Sequence, residues 1–164
     1  ARALGRLAEA ERAYGESLGV MRVLRERLGD TPEVLRDLSV ALDKVGDAAR
    51  ALGRLAEAER AYGESLAVMR VLRERLGDTP QVLRDLSVAL DRVGDAASAL
   101  GRLEEARNAY REEAALLRRL DHVFPGQEYA SWLGAVESKY RATFPQGAGN
   151  GAPSSAGNES GEES

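Results

Sequence analysis

Beginning at Leu35, apolar side chains recur three and four residues apart, at Leu35, Leu38, Leu42, Val45, Ala49 and Leu52. With 3.6 residues per turn, that spacing keeps returning to one side of a helix and makes an apolar stripe. Leu55, Ala58, Tyr62, Leu66, Met69, Leu72 and Leu76 make a second stripe of the same kind. The pattern predicts two helical segments, A over residues 32–52 and B over residues 55–76. Thr31 is placed to cap the free amides of A, and Pro32 suits the first helical position, where its missing N–H is no loss. Gly53 breaks A from B and makes them antiparallel neighbours. "GDTP" at 77–80 ends B with a glycine and opens the next A. A strand reading fails on the period and on the supply of Ala, Leu, Arg and Glu, all strong helix formers.

The whole pattern is written more than once. Shifted by 48, residues 1–48 match residues 49–96 at all but three positions, Gly19/Ala67, Glu33/Gln81 and Lys44/Arg92. A third copy opens at Ala97 as "ASALGRLEEARNAYREEAALLRRL" and decays after Leu120. Exposed charges are copied along with the apolar stripe, which points to tandem duplication. One helix pair of this size cannot bury its own stripe, whereas stacked pairs can. The predicted architecture is therefore all-α, a solenoid of antiparallel helix pairs. The chain opens in mid-unit on this reading, residues 1–4 forming the last turn of an A helix and Gly5 the turn into B.

The spacing Leu42, Val45, Gly46, Ala49, Gly53, Ala58, Tyr62 resembles the tetratricopeptide repeat pattern, and the next copy repeats it as Leu90, Val93, Gly94, Ala97, Gly101, Ala106, Tyr110. Gly46 and Ala58 are small where A and B must approach, and Tyr62 is the wedge between repeats. Leu stands where the family has Trp, Ala where it has its first Tyr, and the period is 48 instead of about 34. The extra length adds roughly two turns, about 10 Å, to each helix. This resembles a long-helix variant of the family, with a HEAT-like array of similar period as the competing assignment.

The resemblance covers about residues 1–120. Residues 121–144 are expected to be a degenerate repeat. Pro125 and Gly126 form a turn, and Tyr129, Trp132, Leu133, Val136 and Tyr140 then follow at helical spacing as a capping helix. An aromatic ligand cage around Trp132 is the functional alternative. Residues 145–164, rich in Gly, Ser, Asn and Pro, read as a disordered tail. Ser160 before Glu162 and Glu163 resembles an acidic-directed phosphorylation site, with a plain solvated tail as the other reading.

Composition narrows the function. Only 5% of residues are aromatic, so Leu, Val and Ala must fill the core. The net charge of −4 includes three tail glutamates, which leaves the body nearly neutral and without a basic footprint for nucleic acid. No apolar run approaches the ~20 residues of a membrane span. With no Cys and a single His, His122, a His/Cys zinc site is excluded within one chain. His122 is expected in the turn before the last helix. Ser39 and Ser87 lie mid-helix away from it. The carboxylates alternate with Arg at helical spacings, such as Glu57/Arg60 and Glu64 near Arg60, as on a solvated helix face. Neither a catalytic constellation nor a cofactor motif is found, so the chain is expected to be non-enzymatic and cofactor-free. The absence of Cys is compatible with a cytoplasmic location.

What the resemblance implies is a protein-interaction scaffold. In such arrays the A helices line a concave face that holds peptides. By the family's frame the groove positions are Val40, Asp43, Asp47 and Arg50, then Val88, Asp91, Asp95 and Ser98. Four aspartates against one arginine make this groove acidic. A carboxylate clamp is therefore not expected, and a basic protein or peptide is the better fit. Merely solubilising aspartates are the plainer reading. The alternative function is a structural spacer or self-association module within a larger multidomain signalling protein, with self-association through the exposed N-terminal helix.

Overall fold

The computed structural model describes residues 1–145, and the predicted tail, with Ser160, lies beyond them except for Pro145. Six helices follow one another: α1 (Arg2–Leu28), α2 (Pro32–Ala51), α3 (Leu55–Leu76), α4 (Pro80–Ala99), α5 (Leu103–Val123) and α6 (Tyr129–Ala142). Each packs against the next in the chain, α1 on α2 through to α5 on α6. This is an all-α solenoid of helix pairs in which α2, α4 and α6 are the A helices and α1, α3 and α5 the B helices.

Local chemistry sets the boundaries. Thr31 and Thr79 each accept a hydrogen bond at Oγ1 from the third residue on, Val34 and Val82, both at 3.2 Å. Pro32 and Pro80 occupy the first turn. At the A-to-B junction Gly53 adopts φ 75°, a left-handed conformation that side chains disfavour. Its N–H bonds to Arg50 O at 3.0 Å, and the N–H of Arg54 to Ala49 O at 2.9 Å. Gly101 repeats the turn at the next junction.

The core follows the stripes. Leu35, Leu38, Leu42 and Ala49 of α2 are buried, and Ala58, Tyr62, Met69 and Leu72 of α3 meet them, as do their copies in α4 and α5. Ala61, Ser65 and Val68 are buried as well, because α3 lies between α2 and α4 and covers two neighbours at once.

The first unit departs from the sequence reading. Residues 1–6 do not form a helix end, a turn and a new helix. α1 runs unbroken through Gly5, whose N–H bonds to Ala1 O at 3.1 Å. The turn at Gly53 is held by α2 folding back on α3. Arg2, Ala3 and Leu4 favour helix, and one internal glycine costs only about 1 kcal/mol, so the helix continues.

Candidate functional site

Each repeat is joined by a small polar device. Gly46 lies under the ring of Tyr62, so closely that a Cβ there would stand 2.5 Å from the nearest ring carbon, and Gly94 lies under Tyr110 in the same way. Tyr62 Oη donates to Asp47 Oδ1 at 2.5 Å, and Tyr110 Oη to Asp95 Oδ1 at 2.7 Å. Burial and the nearby carboxylate push both phenols well above the usual tyrosine range. Glycine here is a matter of space: a tyrosine fills the A–B seam, and only a residue without a side chain lets it in.

The A-helix aspartates are answered by bases from the next A helix. Arg92 of α4 reaches back to Asp43 at 3.1 Å and to Asp47 at 3.8 Å. Lys139 of α6 donates to Asp91 Oδ1 at 2.7 Å and to Asp95 Oδ2 at 3.2 Å. Burial pulls the Lys139 ammonium down, but its bonds to Asp91 and Asp95 outweigh that and raise it. Burial pushes the Asp43 carboxyl up, opposed by Ser65 and Arg92. The four aspartates thus sit in a charge ladder running across the A helices. Between the rungs, Val40 and Val88 stay exposed at 51% and 41%. Arg50 and Ser98 are exposed at the helix ends, and Val45, Val93, Gly53 and Gly101 lie toward the seams and turns. Leu90, Ala97 and Ala106 are buried like their copies Leu42, Ala49 and Ala58.

The charges copied on the B helices are also inter-repeat. Arg22 Nη2 donates to both oxygens of Glu64 at 2.9 and 2.8 Å, and Arg70 holds Glu112 at 2.6 and 2.8 Å. Arg54 pairs with Glu11, and Arg102 with Glu59, in the same repeating way. The expected pairing of Glu64 with Arg60 along one helix is thus replaced by a bond to the preceding repeat. A separation of 42 residues between partners, returning after 48, was the available signal.

The last described helix, α6, packs on α5. Tyr129 and Val136 are buried on it, and Trp132 stacks edge-on to Tyr129 at 5.9 Å with the guanidinium of Arg84 5.6 Å from its ring centre. Tyr140 turns instead toward Phe144, at 5.2 Å. The aromatic residues are thus divided between two pairs and do not converge as a cage. His122 lies exposed in the last turn of α5 and not in the following turn, because α5 continues to Val123.

Between α4, α5 and α6 opens a cleft of about 230 Å³ lined by Val88, Asp91, Glu113, Trp132, Val136 and Lys139, together with Ala135. Glu113 is the residue that sequence reasoning missed. It stands where copy two has Ser65 and copy one Ser17. The substitution was visible in the aligned copies, but its burial was not. Burial, reinforced by Asp91, pushes its carboxyl up to about 9. Among the described residues no group of three or more His, Asp or Glu is arranged to hold a metal, and no helix is long and apolar enough to cross a membrane.

A search among curated proteins gives no match. The tetratricopeptide repeat family profile matches residues 37–112, from within α2 to within α5. That family is one of protein-protein interaction scaffolds, whose repeats bind protein partners. The match falls on the stacked A and B helices whose seams Gly46, Tyr62, Gly94 and Tyr110 fill, and together with the six consecutive helices it fits a tetratricopeptide-type repeat, here with a period of 48 residues.

Proposed function

We propose that the chain is a non-enzymatic scaffold that holds a protein segment on the face shared by α2, α4 and α6, the concave side of a tetratricopeptide array. The observation that carries this is the pair Val40 and Val88. They are the same position in consecutive A helices, both exposed, each one turn from a carboxylate pair. Exposed valines repeated in register, flanked by Asp43, Asp47, Asp91 and Asp95, suit a segment that alternates apolar and basic side chains. The aspartates already share Arg92 and Lys139, so the face is a chequered ladder more than a uniformly acidic groove, and shape and apolar contact should contribute as much as charge.

The test is affinity capture from cell extract with the wild-type chain and with a Val40→Lys/Val88→Lys variant, each followed by cross-linking. A partner retained by the wild type, cross-linked near these valines and lost by the variant supports the reading. Equal retention by both removes it. Reversing Asp43, Asp47, Asp91 and Asp95 to Lys separates the charge contribution, since solubilising aspartates would leave capture unchanged.

A second reading has its own observation. On α1, Leu4, Val20, Val23 and Leu28 are exposed, and Val20, Val23 and Leu24 line an open groove. Such a face suits self-association, with the array as a spacer between copies. Sedimentation equilibrium decides it: a concentration-dependent dimer abolished by Val20→Lys/Val23→Lys supports it, and a monomer at all concentrations rejects it.

A further inference from the structure

The three copies put a different group at one place in the A–B seam. Copies one and two have Ser17 and Ser65, and Ser65 Oγ donates to Ser39 O at 3.2 Å. Copy three has Glu113, only 6% exposed, with its Oε2 bonded to nothing. A buried carboxyl with one oxygen unpaired is costly in a packed seam, where a serine would serve as it does one repeat earlier. Around it the charges do not balance. Asp91 and Asp95 of α4 face Lys139 of α6, which gives two of its three N–H donors to them. The remaining group of the seam, Tyr110 of α5, donates to Asp95. Glu113 lies on the wall of the cleft between α4, α5 and α6, which it shares with Asp91 and Lys139 and with the apolar Val88, Ala135, Trp132 and Val136.

We propose that this cleft takes a cationic side chain, a lysine or arginine of the bound partner, its methylene stem lying against Val88, Trp132 and Val136 and its charged head meeting Glu113 beside Asp91. The inference rests on the α2/α4/α6 docking face proposed above and names the anchor at its C-terminal end. A slot with an apolar wall and two carboxyl groups, Asp91 and Glu113, set against the one ammonium of Lys139 suits a long cationic side chain, since its stem and head differ in polarity. The space suits one such side chain, not a folded element. Because Glu113 holds its proton to about pH 9 in the empty cleft, an incoming cation must displace that proton. Binding therefore releases a proton and tightens as pH rises toward 9.

Trp132, the single tryptophan of the chain, lines the cleft and reports on it. The probe is n-butylguanidinium, titrated against the full chain by tryptophan fluorescence, with n-butylurea as the uncharged control. The expected result is a saturable change with the cation alone, at least threefold tighter at pH 8.5 than at pH 6.5. Glu113→Ser restores the residue found in the other copies and keeps the fold, as circular dichroism would verify. It should weaken binding about tenfold or more and abolish its pH dependence. The same affinity in Glu113→Ser, or equal response to butylurea, overturns the proposal. This outcome is separable from the docking face itself: partner capture that is lost in Val40→Lys/Val88→Lys but unchanged in Glu113→Ser would keep the face and remove the anchor.

Discussion

Helices α1 and α3 carry the same sequence over their shared length except at Gly19 and Ala67, yet they are different objects. α3 starts at Leu55 after a glycine turn, and α1 starts at Arg2 and runs through the equivalent glycine. Val68 is 2% exposed and its twin Val20 57%. Tyr62 is sealed in a seam with Gly46 and Asp47, while Tyr14 is half-buried, with the Lys44 ammonium 5.9 Å from its ring centre. The letters are constant and the neighbours are not: α3 is packed between α2 and α4, whereas α1 packs against α2 and meets α3 through exposed ion pairs such as Arg22–Glu64. In a stacked array, burial and even the turn belong to the junction between helices more than to the helix that carries the residues.

Twin substitutions can break this comparison. Tyr62→Ala should cost about 3–5 kcal/mol, as for other large buried aromatics, while Tyr14→Ala costs less than half as much; urea denaturation followed by circular dichroism measures both. Equal costs would mean that α1 is as enclosed as α3. Gly46→Ala places a Cβ against the Tyr62 ring and should destabilise by about 1–3 kcal/mol through overpacking, with Gly94→Ala alike. Combining Gly46→Ala with Tyr62→Leu should recover part of the loss, which a cause other than ring contact would not allow. The glycines of the repeated stretch should respond with opposite signs. Gly53→Ala forces alanine to φ 75° and destabilises by about 1 kcal/mol, while Gly5→Ala, inside a helix, stabilises by about 0.5–1 kcal/mol. Melting temperatures of the two variants settle the signs.

The smallest effect should be the one that does not distinguish the regions. Arg22–Glu64 and Arg70–Glu112 are equivalent exposed ion pairs at successive junctions, the first through one arginine nitrogen and the second through two. Double-mutant cycles should give about 0.2–1 kcal/mol for each, falling with added salt. A marked difference between the two would show that the B-helix surfaces stack differently along the array.

The sequence resolved whatever depends on a few adjacent residues. Thr31 before Pro32, the "GDTP" turn and the three-and-four spacing locate α2 and α3 to within a residue, because caps, turns and stripes are local. What escaped it was set by residues far along the chain. That Asp43 and Asp47 share a face follows from their spacing of four. That Arg92 answers them does not, since it approaches from another helix. Glu64 looks like a partner for Arg60 until the preceding repeat brings Arg22 to it. Glu113 differs from Ser65 in plain letters, but only the placement of α6 over it makes it a buried acid at the wall of a cleft. Gly5 carries the same flanking letters as Gly53, yet α1 continues through it while Gly53 turns where α2 packs on α3.

That last point can be read out residue by residue. Backbone chemical shifts of Gly5 and Gly53, with the amide exchange of the residues beside them, test whether identical letters take their structure from their neighbours. The account predicts helical shifts through residues 3–8 and left-handed turn shifts at Gly53, with slower exchange at Arg54 than at Arg6. Turn shifts at both glycines, with matching exchange on either side, would contradict it.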